Sequence, residues 1–419
     1  MSPRLPLSQR SVGSLWRAVF VALFACTLTG PGAAQARGQW QQTYKLTAAD
    51  ADAGDIFGQS VSIDGNLIVI GAQLDEDAGT QSGSAYVYRF DGSNWIEEAK
   101  LTASDGAPGD RLGVAVSVSG NVIVVGAAGD DDGEPSSGSA YVFRFDGTQW
   151  IEEAKLTDPN GEELDLFGFS VSIQGNVALV GAGGNDDAGL GTGAAFVFRY
   201  DPLGAETWVF QQQLNAVDAE GPALFGWSVK LSGDVALITA PQDNSQTGAA
   251  YVFRDTGTQW VHEIKLTAAD PVGPFPFFGW SSSISGDTIL VGARSDYALG
   301  GESGAAHLFR KNRTGWEEVI KLTASDGEAG DFFGASLSIS GDVAFISARP
   351  QNATGTVYIF DLDPTPGDLD CNGRVGVADL LALLSTWGPC DDCQACAADL
   401  DGNCIVGVSD LLILLMNWG

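Results

Sequence analysis

Cysteine is absent between residues 37 and 370, and the whole chain has only two histidines, His262 and His307. A site that needs a catalytic thiol or a cluster of imidazole ligands is therefore excluded from most of the chain. No Gly-x-Ser-x-Gly elbow or phosphate-binding glycine loop occurs between residues 37 and 362 either. We therefore expect a protein that is not an enzyme, with a pair of carboxylates acting on a glycan as the alternative.

Basic residues are also scarce, since 21 Lys and Arg stand against 53 Asp and Glu. Residues 1–36 place three arginines before an apolar run and end in Ala34-Gln35-Ala36, which predicts a signal peptide; a lipoprotein signal at Cys26 is the alternative. The mature chain would carry 18 basic and 53 acidic residues, a net charge of −35. Nucleic acid and anionic membrane surfaces are therefore disfavoured as partners. No later apolar run reaches about 18 residues, so we expect a secreted or surface-associated chain without a transmembrane segment.

Six repeats of about 55 residues fill the chain between residues 37 and 362. Each repeat reads as four short strands; in the first these are 60–63, 67–70, 85–90 and 95–101, and Asp-Gly pairs mark the tight turns. Four antiparallel strands per repeat predict a blade, so the fold class is an all-β six-bladed β-propeller, with seven blades as the alternative. Every repeat contains a Phe-Gly or Leu-Gly pair, at Phe57, Leu112, Phe167, Phe225, Phe278 and Phe333.

The two ends of the repeat region predict how the ring closes. The sixth repeat stops at Phe360 without a fourth strand, and residues 40–47 form an isolated strand-like segment before the first repeat. Pairing this N-terminal strand with the last blade would complete it and remove exposed sheet edges.

The repeat resembles the bacterial FG-GAP repeat, a relative of the propeller of integrin α subunits. The resemblance is carried by Lys-Leu-Thr-Ala-Ser-Asp-Gly-x-x-Gly-Asp-x-Phe-Gly, by the following Gly-Ala pair and by Ser-Gly-Ser-Ala-Tyr-Val-Phe-Arg. It implies extracellular binding or adhesion, with a polysaccharide or a protein as the ligand. The integrin-type calcium loop, Asp-x-Asp-x-Asp-Gly-x-x-Asp, is not reproduced in any repeat.

The longer loops between strands should lie on one face of the propeller and form a candidate ligand-binding surface. Carboxylates from two loops per blade would meet there, which is how oxygen-rich cation sites are built, although solvated turns are the alternative. Aromatic residues follow the Phe-Gly pair in blades three to five and would either stack on a sugar or pack between blades. The candidates are Asp75, Asp77, Asp130, Asp132, Asp186, Asp187, Phe169, Trp227 and Trp280.

Two twelve-residue loops in residues 363–419 have oxygen side chains at positions 1, 3, 5 and 12, which is EF-hand spacing and predicts bound calcium. Each loop leads into an apolar helix, and no helix precedes either one. This arrangement resembles the type I dockerin, which implies docking to a cohesin-like partner or sorting to the cell surface. The predicted ligands, with position 7 contributing a backbone carbonyl, are Asp368, Asp370, Asn372, Arg374, Asp379, Asp399, Asp401, Asn403, Ile405 and Asp410.

Five cysteines cluster in this C-terminal module, at residues 371, 390, 393, 396 and 404. They could form two disulfides and leave one thiol, which suits a small exported domain, while a zinc or iron–sulfur site is the alternative. The sequence thus predicts a signal peptide at 1–36, a propeller at 37–362 and a dockerin-like calcium module at 363–419. The expected function is recognition and docking outside the cell; a glycan-active enzyme and a structural spacer are the alternatives.

Overall fold

The computed structural model describes residues 44–131, 133–204, 207–218, 221–350, 354–362, 367, 369, 375–390, 396, 398–400 and 403–418. The chain divides into two compact units: residues 42–362, and residues 1–41 together with 363–419. The predicted signal peptide lies outside the described residues, as do residues 40–43 of the predicted closing strand.

The repeat unit consists of six antiparallel sheets, one for each repeat, and is a six-bladed β-propeller. Blades one to five have four strands in sequence order, and blade six has three among the described residues. In blade one the strands match the predicted ones to within two residues at each end. The strands are β1–β4 at Val61–Asp64, Leu67–Ala72, Ser84–Phe90 and Trp95–Leu101; β5–β8 at Leu112–Ser119, Val122–Ala127, Ser139–Phe145 and Trp150–Leu156; β9–β12 at Phe167–Gln174, Val177–Ala182, Ala194–Asp201 and Thr207–Leu214; β13–β16 at Val229–Ser232, Val235–Ala240, Ala249–Asp255 and Trp260–Leu266; β17–β20 at Phe278–Ser285, Thr288–Ala293, Ala305–Asn312 and Gly315–Leu322; and β21–β23 at Leu337–Ser340, Val343–Ala348 and Thr356–Asp361.

Successive blades contact one another mainly through their first strands, such as β5 with β9 and β13 with β17. The first strands therefore lie nearest the propeller axis, and the fourth strands lie outermost. The second and third strands are almost completely buried because a neighbouring blade covers each of their faces. The long loops that lead into the first strands end close to the axis, so residues beside the Phe-Gly pair are placed at its mouth.

The Phe-Gly pair explains how one blade fits against the next. The Phe167 ring is completely buried in the core between blades two and three. Gly168 has a φ of 90°, and a Cβ atom on it would lie 2.1 Å from the carbonyl oxygen of Ser139 in blade two. A Cβ on Gly126, the glycine of the Gly-Ala pair in blade two, would lie 1.9 Å from the carbonyl oxygen of Gly168. The two signature glycines of the repeat therefore meet backbone to backbone across the blade interface.

The closing strand predicted from the sequence is not present among the described residues. Residues 44–48 form no strand, and blade six has three strands within the part of the chain that the structure describes. Leu46 instead packs against the buried core of blade one, and Tyr44 lies edge-on to Phe90. Val61 of β1 and Val357 of β23 are each 60% exposed, whereas Val116, the counterpart of Val61 in blade two, is 8% exposed. The pairing of residues 40–47 with β23 therefore stays a prediction.

The C-terminal unit contains two nine-residue helices, α2 at Val377–Ser385 and α3 at Val408–Met416, besides the short turn α1 at Asp243–Gln246 in the propeller. Two short strands, β24 at Gly388–Pro389 and β25 at Ile405–Val406, pair in antiparallel fashion. Each helix follows a predicted calcium loop, as the sequence indicates. Within the described ranges, no helix is long and apolar enough to cross a membrane.

We predict that Gly168→Ala destabilises the propeller far more than Gly175→Ala does. Both glycines have positive φ, but a Cβ on Gly175 meets no atom within 4 Å, while one on Gly168 collides with backbone. We expect a loss of about 1 kcal/mol at Gly175 and of more than about 3 kcal/mol at Gly168 in the free energy of unfolding, measured with urea. Equal losses at the two positions would contradict the close approach of the blades.

Candidate functional site

The acidic loops converge as predicted, but a lysine lies between their carboxylates. In blade one, Lys100 Nζ lies 2.7 Å from Asp50 and 2.9 Å from Asp75, and the Tyr86 hydroxyl donates to both carboxylates at 2.8 Å. Asp77 also pairs with Lys100. The same Asp-Asp-Tyr-Lys network recurs in blade two at Asp105, Asp130, Tyr141 and Lys155, and in blade four at Asp218, Asp243, Tyr251 and Lys265.

The second aspartate and the tyrosine of each network are buried, whereas the first aspartate is exposed. Burial alone would raise the pKa of Asp75, but hydrogen bonds from Lys100, the Asp77 N–H and Tyr86 outweigh it and keep the pKa below its ordinary value. Burial and the neighbouring carboxylates raise the pKa of Tyr141 far above its ordinary value. Asp75 and Asp130 are only 3% and 2% exposed. Their partners within the blade therefore favour a structural role over a site for a ligand; Asp132 lies outside the described residues.

Blade three replaces every member of this network. Asn160, Asn185, Phe196 and Gln213 stand where blade two has Asp105, Asp130, Tyr141 and Lys155. A new carboxylate, Asp158, is 8% exposed and accepts a hydrogen bond from Asn185 Nδ2 at 3.0 Å. Burial, with the nearby Asp165 and Asp187 carboxylates, raises the pKa of Asp158 to about 6. The predicted candidates Asp186 and Asp187 lie exposed beside it, and Asp187 accepts from Gln213.

Both histidines lie within blades. His307 replaces the network tyrosine in blade five, is fully buried, and has its Nδ1 atom 2.6 Å from Glu318. Asp270, His307 and Glu318 offer oxygen and nitrogen atoms within 4.8 Å of one another. His262 packs edge-on against Phe253 in blade four. These contacts place both imidazole rings within the packing of their blades.

The three aromatic candidates form a continuous arc around the propeller axis. The ring of Trp227 lies 4.7 Å from the ring of Phe169 and 4.7 Å from that of Trp280, measured between centroids. Trp227 Nε1 donates to the Trp280 carbonyl oxygen, which ties blade four to blade five. All three side chains are half-buried. The rings therefore pack between blades and still present an accessible edge, while stacking on a sugar stays a prediction.

A cavity of about 720 Å³ opens beside this arc. Its wall contains Phe169 and Trp227, together with Gln59, Gln73 and Arg111 from blades one and two. On the far side of the arc, the guanidinium carbon of Arg294 lies 3.5 Å from the centre of the Trp280 ring. Aromatic faces with amide and guanidinium groups beside them suit a sugar, whose ring has apolar faces and polar edges.

Sequence reasoning found the aromatic half of this site and missed its cationic half. Arg111 precedes the Leu-Gly pair of blade two, and Arg294 follows the Gly-Ala pair of blade five. The position of Arg111 has an apolar residue in the other five repeats, such as Ile56, whereas the position of Arg294 varies more widely, with Gln73 in blade one. Alignment of the six repeats by their glycine pairs would have placed both arginines on the loop face, because each directly adjoins a pair.

The C-terminal unit positions two equivalent carboxylates at the starts of its helices. Asp379 accepts backbone hydrogen bonds of 2.7 Å from Leu369 and Gly376. Asp410, which lies 31 residues later in the sequence, accepts bonds of 2.7 Å from Leu400 and Gly407. Both aspartates are completely buried. Each one closes its loop onto the helix that follows, which is where position 12 of a calcium loop must lie.

The second loop is the better described of the two. Asp399 accepts hydrogen bonds from the backbone N–H groups of Asn403 and Cys404, and Asn403 accepts one from Ile405. Cys404 has a φ of 67° at the turn where such loops usually have glycine. The oxygen donors Asp399, Asn403 and Asp410 suit a hard cation. The remaining predicted ligands lie outside the described residues: Asp368, Asp370, Asn372, Arg374 and Asp401.

The described cysteines are in disulfides. Cys390 is bonded to Cys396, and Cys404 is also disulfide-bonded. These three sulfurs are therefore not available to a zinc ion or an iron–sulfur cluster, which leaves the disulfide interpretation for them. Cys371 and Cys393 lie outside the described residues.

We predict that blade two tolerates replacement of its ionic network by the corresponding uncharged residues of blade three. Lys155→Gln alone leaves Asp105 and Asp130 without their ammonium partner and should lower the free energy of unfolding by about 3 kcal/mol. The combined change Asp105→Asn, Asp130→Asn, Tyr141→Phe and Lys155→Gln copies blade three and should cost less than about 1 kcal/mol. Urea unfolding of both variants tests this, and a larger loss in the combined variant would contradict it.

We predict that Asp158→Asn stabilises the propeller at neutral pH. The folded-state pKa is raised above the ordinary 3.8, so the unfolded chain ionises first and the stability that Asp158 contributes at low pH is lost between about pH 4 and about pH 6. Asparagine removes this loss, and the free energy of unfolding should rise by about 2 kcal/mol at pH 7.5 and stay unchanged at pH 4. Destabilisation at pH 7.5 in the presence of calcium would instead indicate a cation held by Asp158.

A family model of the FG-GAP repeat matches residues 40–88, 95–143, 150–198, 208–253, 260–309 and 316–360. Human integrin alpha-D is 28% identical over 239 residues, which cover 52% of this chain and 19% of that protein. Among solved structures, a putative 6-phosphogluconolactonase from Bacteroides fragilis is 14% identical, with a TM-score of 0.47, and the match covers 74% of this chain and 85% of that one. The six segments that the family model matches together cover more than half of the chain, so the chain belongs to the FG-GAP repeat family.

Proposed function

We propose that this protein is an exported binding protein whose propeller captures an extracellular polysaccharide at the axial aromatic arc. Membership of the FG-GAP repeat family and similarity to an integrin α subunit suggest a binding or adhesion-type role. The observation that carries the choice of ligand is the arc of Phe169, Trp227 and Trp280 beside a cavity of about 720 Å³.

The arc departs from the repeat pattern where a binding site would be expected. The equivalent positions in blades one, two and six are Gln59, Val114 and Ala335, so a large ring there is not needed for the fold. Three aromatic rings in adjacent blades give a surface long enough for more than one sugar ring. Half-buried rings fixed by packing lose little entropy when a ligand stacks on them.

The C-terminal unit would hold the captured material to a partner. When bound, calcium would fix the conformation of the two loops through the oxygen side chains of Asp399, Asn403 and Asp410 and their counterparts in the first loop. The exposed faces of the two helices repeat the same apolar pattern, with Leu381 and Leu384 in α2 and Leu412 and Leu415 in α3 each 47–62% exposed. Exposed apolar faces of this kind suit docking to a cohesin-like protein or to a surface-sorting partner.

The binding proposal is tested by affinity electrophoresis of the mature chain in gels that contain extracellular polysaccharides. We expect retardation by at least one polysaccharide and a loss of about tenfold in affinity for Trp227→Ala, because a stacked ring contributes 1 kcal/mol or more. Trp150→Ala, which removes an equally large and part-buried ring from an outer strand, is the matched control. Equal loss in both variants, or no retardation by any polysaccharide, would contradict the proposal.

The calcium proposal predicts that calcium stabilises the C-terminal unit of the intact chain. At a hundredfold excess over its dissociation constant, one ion should add about 2.7 kcal/mol to the stability of its loop. Calorimetric titration should show two sites in the mature chain and one in Asp399→Ala with Asn403→Ala. Two sites in that variant would place the second ion elsewhere, and none in the unaltered chain would refute the calcium module.

A second candidate function rests on Asp158, whose raised pKa suits a general acid near neutral pH. It lines a second cavity of about 810 Å³ together with Glu162 and Glu163, so a pair of carboxylates acting on a glycan could be placed there. This alternative predicts release of reducing sugar by the mature chain and its loss in Asp158→Asn. Binding without release of sugar would leave the recognition role alone.

A further inference from the structure

We infer that the ligand of the axial cavity is an anionic polysaccharide, whose carboxylate or sulfate groups are recognised by unpaired arginines beside the aromatic arc. This inference rests on the proposed function, since it names the class of polysaccharide that the same site would take. The chain is strongly acidic, whereas arginines without an ion-pair partner among the described residues lie on the wall of this cavity and beside the arc.

Most basic side chains in the described part of the propeller are already neutralised by a carboxylate within 4.0 Å. They are Arg89, Lys100, Arg144, Lys155, Arg199, Arg254, Lys265, Lys311, Lys321. The chain has 53 acidic residues and 21 basic ones, so an arginine without an ion-pair partner is not explained by a shortage of carboxylates. An unpaired cation that is also partly desolvated favours the arrival of an external anion.

Arg294 is the clearest case. Its Nε atom is buried and has no hydrogen-bond partner among the described residues, while its guanidinium lies over the faces of Trp280 and Phe332. Burial lowers the pKa of Arg294; the nearby Glu302 opposes this effect and the nearby Arg349 adds to it. Arg349 occupies the same position in blade six as Arg294 does in blade five, so two arginines lie on this side of the mouth.

Arg111 places a further cation on the wall of the cavity, across from the arc. It is exposed and has no carboxylate within ion-pair distance in the part of the chain that the structure describes. One carboxylate also lines the cavity, that of Asp131, and its Oδ1 atom already accepts the N–H of Ser136. The cavity wall thus has one unpaired arginine and one carboxylate that already accepts a hydrogen bond, and Arg294 lies beyond the wall, on the far side of the arc.

Lys230 adds a cation in β13, the first strand of blade four, three residues after Trp227. Blades two, three and five have serine at this position, and the hydroxyls of Ser117, Ser172 and Ser283 each accept an N–H from the first strand of the next blade. An ammonium cannot accept a hydrogen bond, so Lys230 gives up that link between blades. Burial lowers the pKa of Lys230, and no carboxylate offsets this effect. Packing within the fold therefore does not explain the lysine, whereas an anionic ligand does.

The other unpaired basic residues do not form a second site of this kind. Lys45 precedes blade one, Arg310 donates to the Leu362 carbonyl oxygen, and Arg313 lies in the exposed turn between β19 and β20. None of them adjoins an aromatic arc. Stacking on Phe169, Trp227 and Trp280 with charge pairing to Arg111 and Arg294 therefore defines a ligand that has sugar rings and repeated negative charges.

The test compares oligosaccharides of one length that differ in charge, by calorimetric titration of the mature chain. The probes are tetragalacturonate, a sulfated galactotetraose and neutral galactotetraose, in about 50 mM and about 500 mM NaCl. We expect at least one anionic probe to bind about tenfold or more tightly than the neutral one at low salt, and the difference to shrink at high salt. The anionic probe that binds more tightly identifies the recognised group.

Charge-removing variants complete the test. Arg111→Gln with Arg294→Gln should weaken binding of the anionic probe about tenfold more than binding of the neutral probe, while the control Arg313→Gln changes neither. Equal affinity for neutral and anionic probes, or an equal effect of Arg313→Gln, would overturn the anionic assignment. If the anionic assignment fails but polysaccharide binding is still abolished by Trp227→Ala, the proposed function remains. If no polysaccharide binds, both the proposed function and the anionic assignment are wrong.

Discussion

At four blade interfaces the glycine of the Phe-Gly or Leu-Gly pair approaches the glycine of the preceding Gly-Ala pair so closely that no side chain fits between them, and the ring of blades depends on this contact. It occurs between blades one and two, two and three, three and four, and five and six, where a Cβ on the Gly-Ala glycine would lie 1.9–2.2 Å from the next carbonyl oxygen. Serine hydroxyls at Ser60, Ser170 and Ser281 donate to the same carbonyl oxygens. Backbone contact at this point fixes the spacing of the blades, and the buried phenylalanines fill the space behind it.

The interface between blades four and five departs from this rule. Thr239 replaces the Gly-Ala glycine there, and a Cβ on Gly279 would lie 2.8 Å from the Ala249 carbonyl oxygen, compared with 2.1–2.3 Å for the corresponding contacts elsewhere. The looser approach coincides with the hydrogen bond from Trp227 to Trp280 and with Lys230 in place of serine. The departures from the repeat thus accumulate at the interface where the proposed site lies.

The strands of the blades could be predicted from the sequence, but the ion pairs within the blades could not. A continuous apolar run predicts a strand at 67–70, and the structure extends it by two residues to Leu67–Ala72, because packing on both faces leaves little freedom of register. The acidic loops could not be read correctly, because Lys100 is 25 residues from Asp75 in the sequence and only the fold brings them together. The position of Trp227 followed from repeat alignment, but the cations around it came from three different blades. The exposed first strand of blade one has no sequence signal, since Val61 and Val116 are alike.

In the proposed account, residues that recur from repeat to repeat stabilise the propeller, and residues that depart from the repeat bind the ligand. In the Asp-Asp-Tyr-Lys networks, the lysine ammonium neutralises the loop carboxylates, so no cation from solution is required. The acidity of the loops therefore does not by itself make a binding surface. The axial cavity combines aromatic rings with an unpaired arginine on its wall, whereas most basic side chains in the described part of the propeller are paired with a carboxylate. In the same proposal, the C-terminal unit would contribute a separate, calcium-dependent attachment.

A crystal structure of the mature chain with a bound acidic oligosaccharide tests this account most directly. The account predicts a sugar ring stacked on Trp227 or Trp280 and a carboxylate or sulfate within hydrogen-bonding distance of Arg111 or Arg294. A sugar bound at the loop carboxylates of blades one to three, with the axial cavity empty, would contradict it.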